Sequence, residues 1–291
     1  MTPIALANEV TTQNILSLPD VVLRLNQLLG RPDVTQPMIG ELLMSDPAIS
    51  ARVLKLANCA LYGGHGKVDT VSRAVSLLGL ERIRGLVMTT FMAQAFDGLP
   101  EDVVDMDHYW LNSVASGVVA RALGYRCRMF DTELLFLAGL LLKLGRLVFY
   151  GARPRQYLEV LQISDLGEEA VIAQERHIFG FDHFALGAAL MKLWQLPETL
   201  YKLVEEQGMS LEAASFPKEL AIVRVASALA LTIEPGRSLP EDPELSSIEI
   251  DPAALELLDV SADSLQLLLA EAWVQTFEVM ETIRPNMAKV F

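Results

Sequence analysis

The run Asp46-Pro47-Ala48-Ile49-Ser50-Ala51-Arg52-Val53-Leu54-Lys55-Leu56-Ala57 carries a complete helix signal. Ile49, Val53, Leu54, Leu56 and Ala57 recur at the steps that gather apolar side chains on one helix face. Asp46 supplies a cap for the free amides of the first turn, and Pro47 fits there because its missing N–H has no partner to lose. The helix is predicted to stop before Tyr62-Gly63-Gly64. On either side the same spacing repeats. Leu18-Pro19-Asp20 opens a stretch in which Val21, Leu25, Leu28 and Leu29 share one side, ended by Gly30. Thr35 to Met44 forms a short helix. Thr70 begins another, with Val71, Ala74, Val75 and Leu78 inside and Gly79 as its stop, and Glu81 to Phe96 continues the pattern. No stretch alternates polar and apolar residues for long enough to build a sheet. The fold class is all-α, a multi-helix bundle.

Residues 97–107, rich in acids and holding Gly98 and Pro100, read as the junction between two helical halves. Beyond it lie helical runs at Tyr109–Leu123, Thr132–Tyr150, Gly167–Ile178, Asp182–Leu193 and Pro197–Glu206. The proline- and acid-rich stretch Gly236 to Pro252 reads as a solvated loop. Leu220 to Leu231 and the closing helix Ala262 to Ile283 are apolar enough to need covering.

Charge is unevenly placed. The chain holds 37 acids and 23 bases, a net of −14; residues 1–150 account for 14 acids and 13 bases, so nearly all the excess lies in the second half. Such a field repels phosphate backbones, and nucleic acid is not an expected partner. Cys59 and Cys127 form no CxxC pair and read as reduced, packed thiols. The segment MTPIALANEV lacks the basic start of a signal peptide. The apolar run Leu134–Leu142 is about half a membrane span. The expectation is a cytoplasmic protein with no membrane partner.

Little recognisable chemistry is on offer. His65, His108, His177 and His183 include no pair spaced for one helix face, so no metal site and no cofactor are predicted. Nucleophile elbows, phosphate loops and dinucleotide fingerprints are absent. Gly63-Gly64 beside His65 is either an anion cradle or a simple helix connection. Arg73, Arg82 and Arg84, and separately Arg121, Arg126 and Arg128, form small basic clusters that read as solvated helix faces. The helix–Gly79–helix arrangement over Thr70–Val87 is a weak helix-turn-helix signal.

One ordered set of residues is distinctive. Asp46-Pro47-Ala48, Leu54, Ala57-Asn58-Cys59-Ala60, Tyr62-Gly63, Ala74 and Leu78-Gly79 are followed by Trp110, Ala138-Gly139-Leu140-Leu141 and Gly145-Arg146-Leu147. Then come Glu175, Phe179-Gly180-Phe181-Asp182-His183, Gly187 and Trp194-Gln195-Leu196-Pro197. Over roughly residues 10–210 this series resembles the HDOD family of bacterial signalling proteins, within the HD superfamily. The resemblance implies an HD/PDEase-like helical bundle with an N-terminal helical half (10–96), a degenerate HD-like half (106–207) and a C-terminal helical extension (211–291).

It also implies what has been lost. HD phosphohydrolases bind divalent metals through a histidine, an adjacent His-Asp pair and further ligands. By resemblance the first histidine is Asn112, the His-Asp pair is Leu142-Lys143, and a later His-His pair falls near Glu205-Glu206. His183, beside Asp182, alone keeps a ligand-like type. A leucine cannot bind a cation, and a lysine repels one. The expected function is therefore a non-catalytic signalling or regulatory module acting through protein partners, in cyclic-di-GMP, motility or stress signalling as the resemblance suggests. The alternatives are an anion- or nucleotide-binding module, using Lys143, Arg146, Arg176 and His183, and a residual metal-dependent phosphohydrolase. Two finer expectations follow. The Lys143 ammonium should either pair with Glu205 or Glu206 in the former metal volume, with His183 nearby, or lean out to solvent along its alkyl stem. Part of the closing helix, around Leu265–Leu269, Trp273 and Phe277, should be either buried or docked against a partner or a second copy of the chain.

Overall fold

A computed structural model describes residues 1–13, 20–59, 61–62, 68–95, 99, 104–234, 248 and 250–283. Leu18-Pro19, Ala60, Gly63-Gly64-His65, most of the acidic junction at 97–107 and most of the 236–252 stretch lie outside the described residues. Among those described there is no β-strand. The helices in order are α1 (Pro3–Thr12), α2 (Asp20–Leu29), α3 (Gln36–Met44), α4 (Pro47–Ala57), α5 (Val71–Leu78) and α6 (Leu80–Ala95). They continue as α7 (Met106–Arg126), α8 (Thr132–Leu141), α9 (Leu144–Ala152), α10 (Pro154–Leu161) and α11 (Glu168–Phe179). The last are α12 (His183–Leu193), α13 (Glu198–Glu205), α14 (Pro217–Ala230), α15 (Pro252–Leu258) and α16 (Ala262–Ile283).

Local chemistry accounts for the boundaries. Asp46 accepts from the amides of Ala48 and Ile49 at 2.9 and 3.1 Å and starts α4. Thr70 caps α5 through the amide of Arg73, and Gly79 ends it at φ +80°, a conformation that L side chains rarely adopt. Asn58 closes the turn after α4: its side chain donates to the Leu54 and Val68 carbonyls and accepts from the Val68 amide.

Two departures from the sequence reading stand out. The run Thr132–Tyr150 is not one helix. It breaks at Leu142-Lys143 into α8 and α9, so an apolar stretch long enough to span a bilayer becomes a helix pair mostly buried in the core. The short helices α1 and α10 are additions. Each opens on a proline in its first turn, and α1 is also capped by Thr2, whose hydroxyl accepts from Ala5 N.

The core is built around α7, which packs on α8, α14 and α16. Trp110, Val114, Val118, Val119 and Leu123 are fully or almost fully buried, and apolar side chains cover all sides of the helix, as a central helix requires. The helices α2 to α6 pack on one another, and α6 meets α8. The helix α16 lies across α7, α4 and α6. The helix α1 packs against α12 and α9, where Arg153 holds Glu9 at 2.7 Å.

Candidate functional site

The break at Leu142-Lys143 positions the site. Leu142 is buried, and Lys143 adopts φ −99°, ψ 17°, which turns the chain into α9. The new direction lets α9 cross α12 very closely. A Cβ on Gly145 would stand 1.9 Å from the His183 carbonyl oxygen, so only glycine fits there. Gly139 of the preceding helix does the same against α7, where an added Cβ would stand 2.5 Å from the Ser116 carbonyl oxygen. These two contacts set Lys143 and Arg146 beside the start of α12.

That start is made by Asp182, which accepts from Ala185 N at 2.9 Å and caps α12. His183 follows and is completely buried. Glu175 of α11, also fully buried, accepts from the His183 amide at 2.8 Å, faces its Nδ1 at 2.6 Å and accepts from the Tyr157 hydroxyl. The other imidazole nitrogen, Nε2, lies 3.1 Å from Glu168 Oε1. The second Glu168 oxygen is 2.6 Å from Arg146 Nη2 and 3.8 Å from Lys143 Nζ. One carboxylate thus closes on two cationic side chains and an imidazole.

Electrostatics follow the geometry. Burial alone would push the Glu168 carboxyl up. Its hydrogen bond with His183 and the charges of Lys143 and Arg146 outweigh burial and hold it well below the ordinary carboxylate range. Burial lowers Lys143 against the opposing pull of Glu168. Burial, then the charge of Glu175, pushes the Tyr157 phenol up, so it remains a donor.

The cluster opens onto a cleft of about 610 Å³ lined by Leu142, Lys143, Glu168, Phe184 and Arg224. Arg224 is spent on backbone: its Nη2 donates to the carbonyls of Glu206, Gln207 and Met209.

The expected pairing of Lys143 with Glu205 or Glu206 is not what the fold makes. Glu205 binds Lys192 at 2.8 Å, the last turn of α12 having brought that lysine over α13. Glu206 accepts from the Ser215 amide and hydroxyl at 2.8 and 2.6 Å. Of the four bases grouped by sequence, Lys143, Arg146 and His183 converge on Glu168, whereas Arg176 turns away to Asp182 at 2.6 Å. Asn112 lies half-buried on α7, where its carbonyl accepts from Ser116 at 2.8 Å, and it does not line the cleft.

Sequence reasoning passed over Glu168, and it named Glu175 in the family series without giving it a part in the site. Glu168 reads as an ordinary acid in a first helical turn, favourable there whatever it touches. Glu175 gave a clearer sign: it sits four residues after Val171 and four before Phe179, inside the apolar stripe of α11.

This set does not suit a divalent cation. Among the described residues no group of three or more His, Cys, Asp or Glu side chains is arranged to hold one. Both imidazole nitrogens face carboxylates within the protein, and Lys143 and Arg146 stand where positive charge would have to enter.

The HDOD domain family matches residues 15–209. The chain belongs to this family. A curated relative of this HDOD protein, an uncharacterised protein of Treponema pallidum, is 25% identical over 195 residues, which are 66% of this chain but only 37% of that protein. A structure from Shewanella amazonensis named "Putative phosphohydrolase" is 22% identical, with 96% of this chain and 98% of that chain covered at a TM-score of 0.75. An HDOD domain protein of unknown function from Geobacter sulfurreducens is 24% identical, covering 92% and 97% at 0.61. One from Marinobacter aquaeolei named "Putative signal transduction protein" is 22% identical, covering 94% of this chain and 60% of that one at 0.70. At these identities the likeness establishes an all-α, HD-like fold. In this HDOD protein, Glu168 pairs with Lys143 and His183, two of the residues that the resemblance singles out.

Proposed function

We propose that this HDOD protein is a non-catalytic signalling module that works by docking onto other proteins. One observation carries the reading. The volume beside His183 is filled by an internal salt-bridge network, Glu168 with Lys143, Arg146 and His183, in place of a metal-ready set of ligands. A divalent ion about 4 Å from an ammonium meets several kcal/mol of repulsion even with generous screening. To bind, it would also have to break the Glu168 pairs. A fold that keeps its scaffold while its HD positions carry Leu142 and Lys143 is free to be used for its surface. The name of the Marinobacter relative agrees with a signalling role.

Two measurements test this. Elemental analysis of protein purified in the presence of Mn²⁺ should find no stoichiometric metal, and a phosphodiester substrate should not be turned over. Affinity capture from the native host should recover a signalling protein, and His183→Ala should leave that capture intact if the fold holds. A stoichiometric metal with His183-dependent hydrolysis would replace this reading with the phosphohydrolase one.

A further inference from the structure

A second cleft, remote in sequence from the Glu168 cluster, lies between α6, α7 and α16 and has a volume of about 450 Å³. That is within the roughly 300–1,000 Å³ usual for small-molecule sites. Its polar wall is unusually well built. Arg121 is 95% buried, donates to the Leu61 carbonyl at 2.6 Å and lies 2.9 Å from Glu133. Its guanidinium stacks over the Tyr62 ring, 4.5 Å from the centroid. Tyr62 in turn donates to Glu133 at 3.1 Å, so the arginine is fixed on every side. So held, Arg121 is engaged within the wall and donates to the Tyr125 hydroxyl, which leaves Arg82 and Arg126 as the arginines that can meet a ligand.

Charge in the cleft is not balanced. The buried carboxylate of Glu133 is shared by Arg121 and, at 3.6 Å, by the partly exposed Arg82. Arg126 lines the same wall and has no ion pair among the described residues. The acid facing them from α16 is the exposed Glu271. The Tyr125 hydroxyl accepts from Arg82 Nη2 at 3.2 Å and from Arg121 Nη2 at 3.4 Å, marking a spot where two guanidinium groups already favour an oxygen's negative charge. The opposite wall, from α16, carries an apolar shelf between the polar Ser264, Glu271 and Gln275. Leu267 is 69% exposed and Leu268 lies beside it in the cleft, while the Tyr125 ring is itself half exposed. A cationic wall facing an apolar shelf and an open ring fits a ligand with an anionic head and a flat body.

We propose that this cleft binds an organic phosphate of mononucleotide size, with its phosphate on Arg82 and Arg126 beside the Tyr125 hydroxyl and its ring over Leu267 and Tyr125. Because the walls come from α6, α7 and α16, occupancy ties three separate segments together and must stabilise the native state. The proposal does not depend on the protein-docking reading.

Calorimetric and thermal-shift titrations with AMP, inorganic phosphate and adenosine test it. AMP should bind saturably and raise Tm, inorganic phosphate should bind more weakly, and adenosine should not bind. Arg82→Gln with Arg126→Gln should weaken AMP at least tenfold; the single Arg126→Gln variant, at a site without an ion pair, guards against a folding defect and should weaken it at least threefold. Lys143→Ala should bind AMP as the parent does. Absence of saturable AMP binding, equal binding of adenosine, smaller losses in the arginine variants, or loss in Lys143→Ala would each overturn the assignment.

Discussion

Glu168 and His183 meet at 3.1 Å through Oε1 and Nε2, and this contact joins the first turn of α11 to the first turn of α12. It has an acid-side signature. A carboxyl held below its ordinary range in the folded chain contributes stability that is complete above the unfolded value of about 4.3 and is lost as pH falls through the folded one. Glu168→Gln should therefore be less stable than the parent at pH 7 and should show a flatter stability profile between pH 5 and the acid limit. Urea midpoints at a series of pH values check this; parallel profiles would contradict it.

Glu175 should be far less replaceable. It is fully buried and takes hydrogen bonds from Tyr157 and the His183 amide as well as facing the imidazole. Removing one partner of such a buried network costs about 3–5 kcal/mol. Glu175→Ala should lose that much in denaturant unfolding, and Glu175→Gln about half, because the amide still accepts from one donor.

Asp182 separates capping from charge. Its Oδ1 caps α12 and its Oδ2 pairs with Arg176, whose side chain is 58% exposed. An ion pair that open to water is worth at most about 1 kcal/mol, and an N-cap about 1 kcal/mol. Asp182→Asn keeps a good cap and should cost less than Asp182→Ala by about 1 kcal/mol. Equal losses would mean that the cap contributes nothing.

Gly145→Ala should be the most damaging small substitution in the second half. The added Cβ would overlap the His183 backbone, and backbone does not swing aside as the end of a long side chain does. A loss of about 1–3 kcal/mol or more is expected from such overpacking. Gly167→Ala is the control: nothing lies within 4 Å of its Cβ position, so only its φ of +97° opposes the change. Thermal unfolding of the two variants should place Gly145→Ala well below Gly167→Ala.

Legibility from sequence followed the range of the interactions. The cap by Asp46, the start at Thr70 and the stop at Gly79 depend on neighbours within four residues, and all three appear as read. The break at Leu142-Lys143 was hidden because its cause is a crossing between α9 and α12, helices separated by 30 residues of chain. The partner of Lys143 was hidden for the same reason. Sequence supplies a list of acids but not their positions in space, and Glu205 and Glu206 were taken by Lys192 and Ser215. The basic clusters at Arg82 and Arg121 looked like solvated faces because the tyrosines that pack them, Tyr62 and Tyr125, approach from other turns.

The placement of α1 has a consequence in time. Its buried face, Leu6, Ala7 and Val10, is covered by α12 and α9, and about 170 residues separate Thr12 from His183. At about 5–20 residues per second of synthesis, α1 waits roughly 10–35 s for its partner to be made. Its docking is therefore a late step on the ribosome, and protease protection of stalled chains should reach α1 only after α12 has emerged.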